Sequence, residues 1–198
     1  MDDHKLLSSH LPAEDTTGQQ TPHLPDELLI QILTHLPNTA LWHTIRHLNR
    51  TLRAEAEKLL LTTFFPTLSL SLTYTLGSGT SHRWYDVRAT ISLSFTSTNR
   101  HNPDFALFEV SAVHPPNYYE RALEKWRPMC ARGLGAGLDW MVSCEGVTHR
   151  VCLAKLVLGE DGSVWCDWQE LVGKWFRKEE EMATKYQNTS SRERLLLT

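Results

Sequence analysis

The sequence has few cysteines, no long hydrophobic run and no large excess of charge of either sign. Its 198 residues include four cysteines, and 20 basic against 23 acidic residues give a net charge of −3. That charge argues against a protein held to nucleic acid through the phosphates, since such proteins are usually basic. The apolar runs, such as residues 59–61, are far too short to cross a bilayer. With 41% hydrophobic residues, the composition is that of a folded globular chain rather than a disordered one.

The cysteine spacing and the start of the sequence indicate which cofactors and which cellular compartment to expect. The four cysteines are separated by 13, 7 and 13 residues, spacings that fit no zinc site. The acidic, polar start of the sequence shows no secretory signal, so we expect a reducing compartment, cytoplasmic or nuclear, and no disulfides. We interpret the cysteines as small buried apolar side chains. The sequence thus predicts no cofactor, no metal site, and neither a membrane nor a nucleic-acid partner.

Residue types change along the chain and predict four segments. Residues 1–23 are polar and are expected to form a disordered leader. Residues 24–65 are rich in leucine at helical spacing, whereas all four cysteines and six of the seven tryptophans lie beyond residue 66. Residues 66–173 are predicted to form a β-rich domain, and residues 174–198 a terminal helix that frays into a mobile tail.

The leucine-rich segment predicts three short helices. Pro25 suits a first helical position, and Asp26 and Glu27 place negative charge at the positive end of the helix dipole. Two more helices are predicted from the leucines that follow Pro37, with Arg46 and the other charged residues on their solvated side. The first helix carries one apolar stripe, formed by Leu28, Leu29, Ile32, Leu33 and Leu36.

This segment resembles an F-box. Residues 24–37, LPDELLIQILTHLP, match its opening pattern of Leu-Pro-x-Glu-Leu-Leu, two free positions, Ile-Leu, two free positions and Leu. Residues 45–53 resemble its closing part, with Leu52 where an aromatic residue is usual and Ala40 where an acidic one is common. F-box domains bind the small Skp-type adaptor of cullin-based ubiquitin ligases. The resemblance implies an adaptor interface formed by Leu24, Pro25, Leu28, Leu29, Ile32, Leu33, Leu36, Ile45, Leu48 and Leu52.

The remainder of the chain reads as β-structure. Apolar residues alternate with hydroxyl-bearing residues over 68–76 and with polar residues over 85–95, which predicts a long antiparallel hairpin. Further strands are predicted near 105–112, 138–144, 149–158 and 164–171. A short helix, opened by a capping box at Asn117 and Glu120, is inserted after the third strand. The sequence therefore predicts an α+β fold: three helices, then a mostly antiparallel sheet folded as a sandwich or partial barrel.

No catalytic motif emerges from the sequence. It contains no phosphate-binding loop, no H-E-x-x-H and no G-x-S-x-G. Gly133, Gly135 and Gly137 lack the spacing of a dinucleotide fingerprint and are interpreted as a flexible connector. Cys144 and His149 flank one turn, but no third residue is placed to orient the histidine as a base. We therefore predict that the protein is not an enzyme.

Two functions remain open from the sequence. In the first, the protein is an F-box-type receptor that binds an adaptor, and through it a cullin, while the β-rich domain binds an unknown protein substrate. Trp165 and Trp168, three apart on one predicted strand, would face opposite sides; one is expected in the core, and Trp165 with Trp84 on an outer, substrate-binding face. A second core layer is the alternative for these tryptophans. In the second function, the β-domain is a barrel that holds a small apolar ligand beneath a helical cap.

Overall fold

The computed structural model describes residues 25–78, 86–133, 138–153 and 155–195. These residues form five α-helices and seven β-strands. The chain divides into two units, residues 1–35, which contain the first helix, and residues 36–198, which contain all the other elements. The elements are α1 Asp26–Thr34, α2 Asn38–His43, α3 Arg50–Leu59, β1 Leu68–Ser78, β2 Asp86–Thr98, β3 Phe105–His114, α4 Tyr119–Ala131, β4 Asp139–Cys144, β5 Val147–Cys152, β6 Leu156–Leu158, β7 Val164–Asp167 and α5 Trp168–Leu195.

The sheet confirms the predicted α+β class and its antiparallel character. Its strands lie in the order β5-β4-β1-β2-β3-β7-β6, and every neighbouring pair is antiparallel. The predicted hairpin is β1 with β2, and Leu70 lies opposite Leu93 while Leu72 lies opposite Ile91. These four side chains are buried, because a period of two places alternate residues of each strand on the same face.

The two edge strands, β5 and β6, show that the sheet is strongly curled. Only residues 153–155 connect them, although β5 is at one edge and β6 at the other. A flat sheet of seven strands would separate its edges by about 29 Å, whereas four peptide units reach at most about 14 Å. The sheet therefore curls into a half-barrel, the partial barrel of the sequence-based alternatives. The single strand predicted over 149–158 is wrong, because this stretch passes from one edge to the other.

Helix α4 packs its apolar side against the inner, buried face of the half-barrel. The Trp126 indole lies against Tyr74 and Trp140, with ring centroids 6.1 and 5.9 Å away, and its Nε1 donates to the carbonyl of Gly162 at 2.8 Å. The Tyr74 hydroxyl donates to the carbonyl of Ala122 at 2.7 Å. Trp126 and Trp140 are fully buried. The helical insertion after β3 is thus confirmed, and it fills part of the half-barrel.

The start of α4 differs from the capping box predicted at Asn117 and Glu120. A 3₁₀ turn, Pro116–Tyr118, precedes the helix, and Tyr118 occupies the N-cap position without a side-chain hydrogen bond to the helix. The helix continues past Trp126 to Ala131 with Pro128 inside it. The Asn117 side chain therefore lies one position too early to cap this helix, because the 3₁₀ turn shifts the helix start.

The strand predicted over 164–171 is wrong beyond Asp167, where the chain becomes helix α5. The Asp167 carboxylate accepts a hydrogen bond from the backbone N–H of Glu170 at 3.0 Å, the contact made by a helix N-cap residue. Burial raises the pKa of Asp167, but hydrogen bonds from Lys155 and from the N–H of Glu170 outweigh burial and lower it. The ionised carboxylate is thus held at the positive end of α5.

Changing Tyr74 to Phe is expected to lower the free energy of unfolding by about 1 kcal/mol, because the buried bond to Ala122 is lost. Burial raises the pKa of Tyr74 to about 12, whereas an unfolded tyrosine ionises near pH 10. The stability that this difference supplies is complete below about pH 10 and is lost as the pH rises towards 12. Urea denaturation at pH 8 and pH 11 should therefore show a smaller alkaline loss in the Phe variant. Equal losses in the two proteins would contradict the assignment.

Candidate protein-docking surface

Helix α1 carries the first half of the F-box-like motif. The helix begins directly after Pro25, whose carbonyl accepts hydrogen bonds from the N–H groups of Leu28 and Leu29, each at 3.1 Å. Leu33 is buried, whereas Leu28 is 47% and Ile32 is 50% exposed. Leu28 and Ile32 are four residues apart and therefore lie on one side of the helix, one turn apart. This exposed pair is an apolar surface without a cover among the described residues.

The second half of the motif lies in residues 36–198. Leu36, Ile45 and Leu52 are partly exposed, and Leu48 is 62% exposed. Leu48 follows a 3₁₀ turn, Ile45–His47, and precedes α3, whose cap residue Asn49 accepts the N–H of Leu52 at 2.8 Å. Of the adaptor residues that the resemblance implies, Pro25, Leu28, Ile32 and Leu48 are thus exposed, while Leu24 lies outside the described residues.

Helices α2 and α3 are fixed to the sheet domain by an aromatic cluster. Trp42 of α2 contacts Trp168 and Phe176 of α5, with ring centroids 6.2 and 6.4 Å away. Phe64, in the π-helical turn after α3, stacks on Phe176 at 5.3 Å, and Phe65 contacts Trp168 at 5.7 Å. All five side chains are buried. This cluster therefore joins residues 38–65 to the half-barrel in one core.

Arg46 is not on the solvated side, where the sequence pattern placed it. Its side chain is only 10% exposed, its guanidinium lies 3.8 Å from the Trp42 ring centroid, and it donates to Glu57 at 3.2 Å and to Gln169 at 3.3 Å. Burial lowers the pKa of Arg46, and the Glu57 carboxylate opposes that change. The ion pair and the cation–π contact offset the cost of burying the charge, so Arg46 links α2, α3 and α5.

Trp165 lies in β7 on the outer face of the half-barrel. Its neighbours in register are Leu107 of β3 and Val157 of β6. Trp165 is half-buried and Val157 is 56% exposed, so the three side chains form a short apolar row that reaches the sheet edge. Trp168 is buried, as expected for one tryptophan of the pair, but it is on α5 and not on the strand. Trp84, the second proposed substrate-binding residue, lies outside the described residues.

The two residues considered for chemistry, Cys144 and His149, each contact another side chain, and the His149 Nε2 atom is buried without a hydrogen-bond partner among the described residues. The Cys144 thiol lies 3.2 Å from the Thr67 hydroxyl, and the His149 ring packs on Trp175 with centroids 4.6 Å apart. Among the residues that the structure describes, no group of three or more His, Cys, Asp or Glu side chains is arranged to hold a metal ion. The described surface does include exposed apolar side chains, among them Leu28, Ile32 and Leu48.

The four cysteines are free and differ in exposure. Cys152 is exposed, while Cys130, Cys144 and Cys166 are buried. Burial raises the pKa of Cys130 to about 12, and it also raises the pKa of the Cys144 and Cys166 thiols. Since the thiolate is the reactive form, iodoacetamide at pH 8 is expected to alkylate Cys152 at least about tenfold faster than the other three. Peptide mass mapping during a time course measures this, and fast labelling of Cys130 in the folded protein would contradict it.

Comparisons of the sequence with protein-family models and with curated proteins, and of the fold with solved structures, found no match. In the described part of the chain, no helix combines the length and the apolar character needed to span a membrane. The small-ligand barrel stays a prediction; the inner face of the described half-barrel is occupied by large side chains, among them Phe65, Phe108, Trp126 and Trp140.

Proposed function

We propose that this chain is an F-box-type substrate receptor of a cullin-based ubiquitin ligase. The exposed residues of the F-box-like segment bind a Skp-type adaptor, and through it a cullin, in the cytoplasm or nucleus. The β-rich domain binds the protein substrate. The observation that carries the proposal is the exposure of Leu28 and Ile32, which occupy positions that the F-box pattern assigns to adaptor contact.

The chemistry of these two positions supports a protein partner. Leucine and isoleucine at i and i+4 on a helix form one continuous apolar surface, and such surfaces usually mark contact with another protein. Glu27 and Gln31 flank them on α1 and are exposed. An apolar centre with a polar rim is the usual composition of a protein interface. Leu48, in the other unit, is a third exposed apolar side chain of the same motif.

The packing of residues 36–198 supports a receptor without chemistry of its own. The aromatic cluster and Arg46 fix α2 and α3 rigidly to the half-barrel. A substrate bound to the half-barrel is therefore held in a defined place relative to α2 and α3, and tethering raises its effective concentration near the ligase. The apolar row of Leu107, Trp165 and Val157 on the outer face is the proposed substrate contact, since aromatic side chains are common interface anchors.

Affinity capture from a cell extract tests this proposal. The intact, tagged chain is expected to recover a Skp-type adaptor together with a cullin, identified by mass spectrometry. The test variant is the same chain with Leu48, which is 62% exposed, changed to Asp; it removes one implied contact and should reduce recovery of both proteins together. Recovery of neither protein by the intact chain would contradict the proposal.

A further inference from the structure

A groove between α5 and the edge strand β5 has a distinct charge. Its volume is about 260 Å³, and its walls come from two elements of the same unit. Four of its charged side chains are basic and one is acidic, which leaves a formal charge of +3 on its walls. We call it the basic groove, and its walls include Arg150 and Cys152 of β5 with Lys174, Arg177, Lys178 and Glu181 of α5.

The helical spacing of the basic residues makes the groove linear. Lys174, Arg177 and Lys178 are at i, i+3 and i+4 and so lie on one face of α5. Lys185, at i+11, continues the same face and is exposed. From Lys174 to Lys185 the helix rises about 16 Å, so the positive charges lie along a line rather than around a single point, with Glu181 between Lys178 and Lys185.

The existing ion pairs leave the basic side chains of the groove able to bind a further anion. Lys174 donates to Glu170 and to the carbonyl of Cys152, which positions it at the base of the groove. Lys178 lies 2.6 Å from Glu181 and Arg150 lies 3.4 Å from Asp139, and all four of these side chains are about half exposed or more. Exposed pairs of this kind contribute little and exchange readily. Arg177 is exposed and makes no hydrogen bond or ion pair with any described residue.

We propose that the basic groove binds an acidic peptide segment in extended conformation. Alternate side chains of an extended peptide repeat about every 6.6 Å, close to the 5.4 Å of one helical turn, so two neighbouring carboxylates can meet Lys174 and the pair of Arg177 and Lys178. A nucleic acid fits less well, because proteins that bind it through the phosphates are usually basic, whereas this chain has a net charge of −3.

In the receptor proposed above, this segment would belong to the protein substrate. That assignment rests on the proposed function, whereas peptide binding itself does not. The groove is built from α5 and β5, and the adaptor positions lie on α1 and near Leu48. Substitutions in the groove should therefore affect peptide binding alone, and substitutions at the adaptor positions should affect adaptor binding alone.

Fluorescence anisotropy with the full chain and a labelled octaglutamate peptide tests the inference. We expect saturable binding that weakens as salt is added. The double variant Arg177→Gln with Lys178→Gln should weaken binding by about tenfold, since each exposed charge contributes up to about 1 kcal/mol. The matched control is Arg100→Gln, an exposed arginine between β2 and β3, which should leave the affinity within about twofold.

Cys152 provides a second readout inside the groove. Because its thiol is exposed in the groove wall, bound octaglutamate should slow its alkylation, and octaglutamine should not. The inference is overturned if octaglutamate does not bind, if octaglutamine binds equally well, or if Arg100→Gln weakens binding as much as the double variant. Tighter binding of a single-stranded oligonucleotide or of anionic lipid vesicles would also overturn it.

Discussion

Replacing Leu28 and Ile32 together by glutamate is expected to abolish binding of the Skp-type adaptor to the full chain. Both side chains are about half exposed, so the proposal places them at the centre of the interface. Two carboxylates buried there without partners would each cost several kcal/mol. Folding should be preserved, because exposed positions away from the core usually change the free energy of unfolding by less than about 0.5 kcal/mol. Pull-down with purified adaptor measures binding, and thermal unfolding measures stability.

The control for this variant is Tyr186→Glu. Tyr186 is 70% exposed on α5 and lies outside the F-box-like segment, so its replacement should leave adaptor binding unchanged. Equal loss of binding in both proteins would point to a general charge effect. Undiminished binding by the Leu28 and Ile32 double variant, with a normal unfolding temperature, would remove the adaptor interface from this helix.

Replacing Trp126 by alanine is expected to be the most destabilising single change, at about 3–5 kcal/mol. The indole is fully buried between Tyr74 and Trp140. Its removal leaves a large cavity and an unpaired carbonyl at Gly162. For a domain of ordinary stability this is a large part of the total. Urea denaturation followed by circular dichroism measures the loss.

Trp165→Ala is the matched control, since Trp165 is half-buried on the outer face. It should cost about 1 kcal/mol, in line with partial burial. If the two variants lost the same stability, the full burial of Trp126 would not account for its contribution. A Trp126 variant as stable as the original protein would contradict the packing described here.

The hairpin of β1 and β2 was predictable because its signal is local. Alternating residues from Leu68 to Leu76 can bury one face only as a strand, and the same holds from Ala89 to Leu93. The start of α5 also has a signal in the sequence. Asp167 and Glu170 have the spacing of a capping box, but the tryptophans beside them favoured an extension of the strand. In the structure this stretch is helical, and the Asp167 carboxylate accepts a hydrogen bond from the backbone N–H of Glu170.

The curl of the sheet and the cluster around Trp42 were not predictable from the sequence. Whether residues 149–158 form one strand or two depends on where the opposite edge of the sheet lies. The local sequence does not determine that position. Arg46 has the composition of a surface residue, yet its pairing with Glu57 and Gln169 depends on residues as many as 123 positions away. Contacts of this kind are set by tertiary packing and override local pattern.

The candidate docking residues were predictable as a set but not individually. The sequence predicts five apolar residues on one stripe of the first helix, and the stripe alone does not indicate which of them are buried. In the structure Leu33 is buried while Leu28 and Ile32 are exposed. One wall of the basic groove could be recognised from the sequence, because Lys174, Arg177 and Lys178 have helical spacing. The other wall, which includes Arg150 on β5, lies beside α5 only because the sheet curls.

Isothermal titration of purified Skp-type adaptor into the full chain tests the proposed adaptor interface most directly. We predict a saturable complex of one adaptor with one chain, with a dissociation constant in the micromolar range or tighter, about −8 kcal/mol or stronger. The Leu28 and Ile32 double variant should release no heat beyond dilution. Absence of binding by the intact chain at about 100 μM adaptor would contradict the claim that these exposed apolar residues form an adaptor interface.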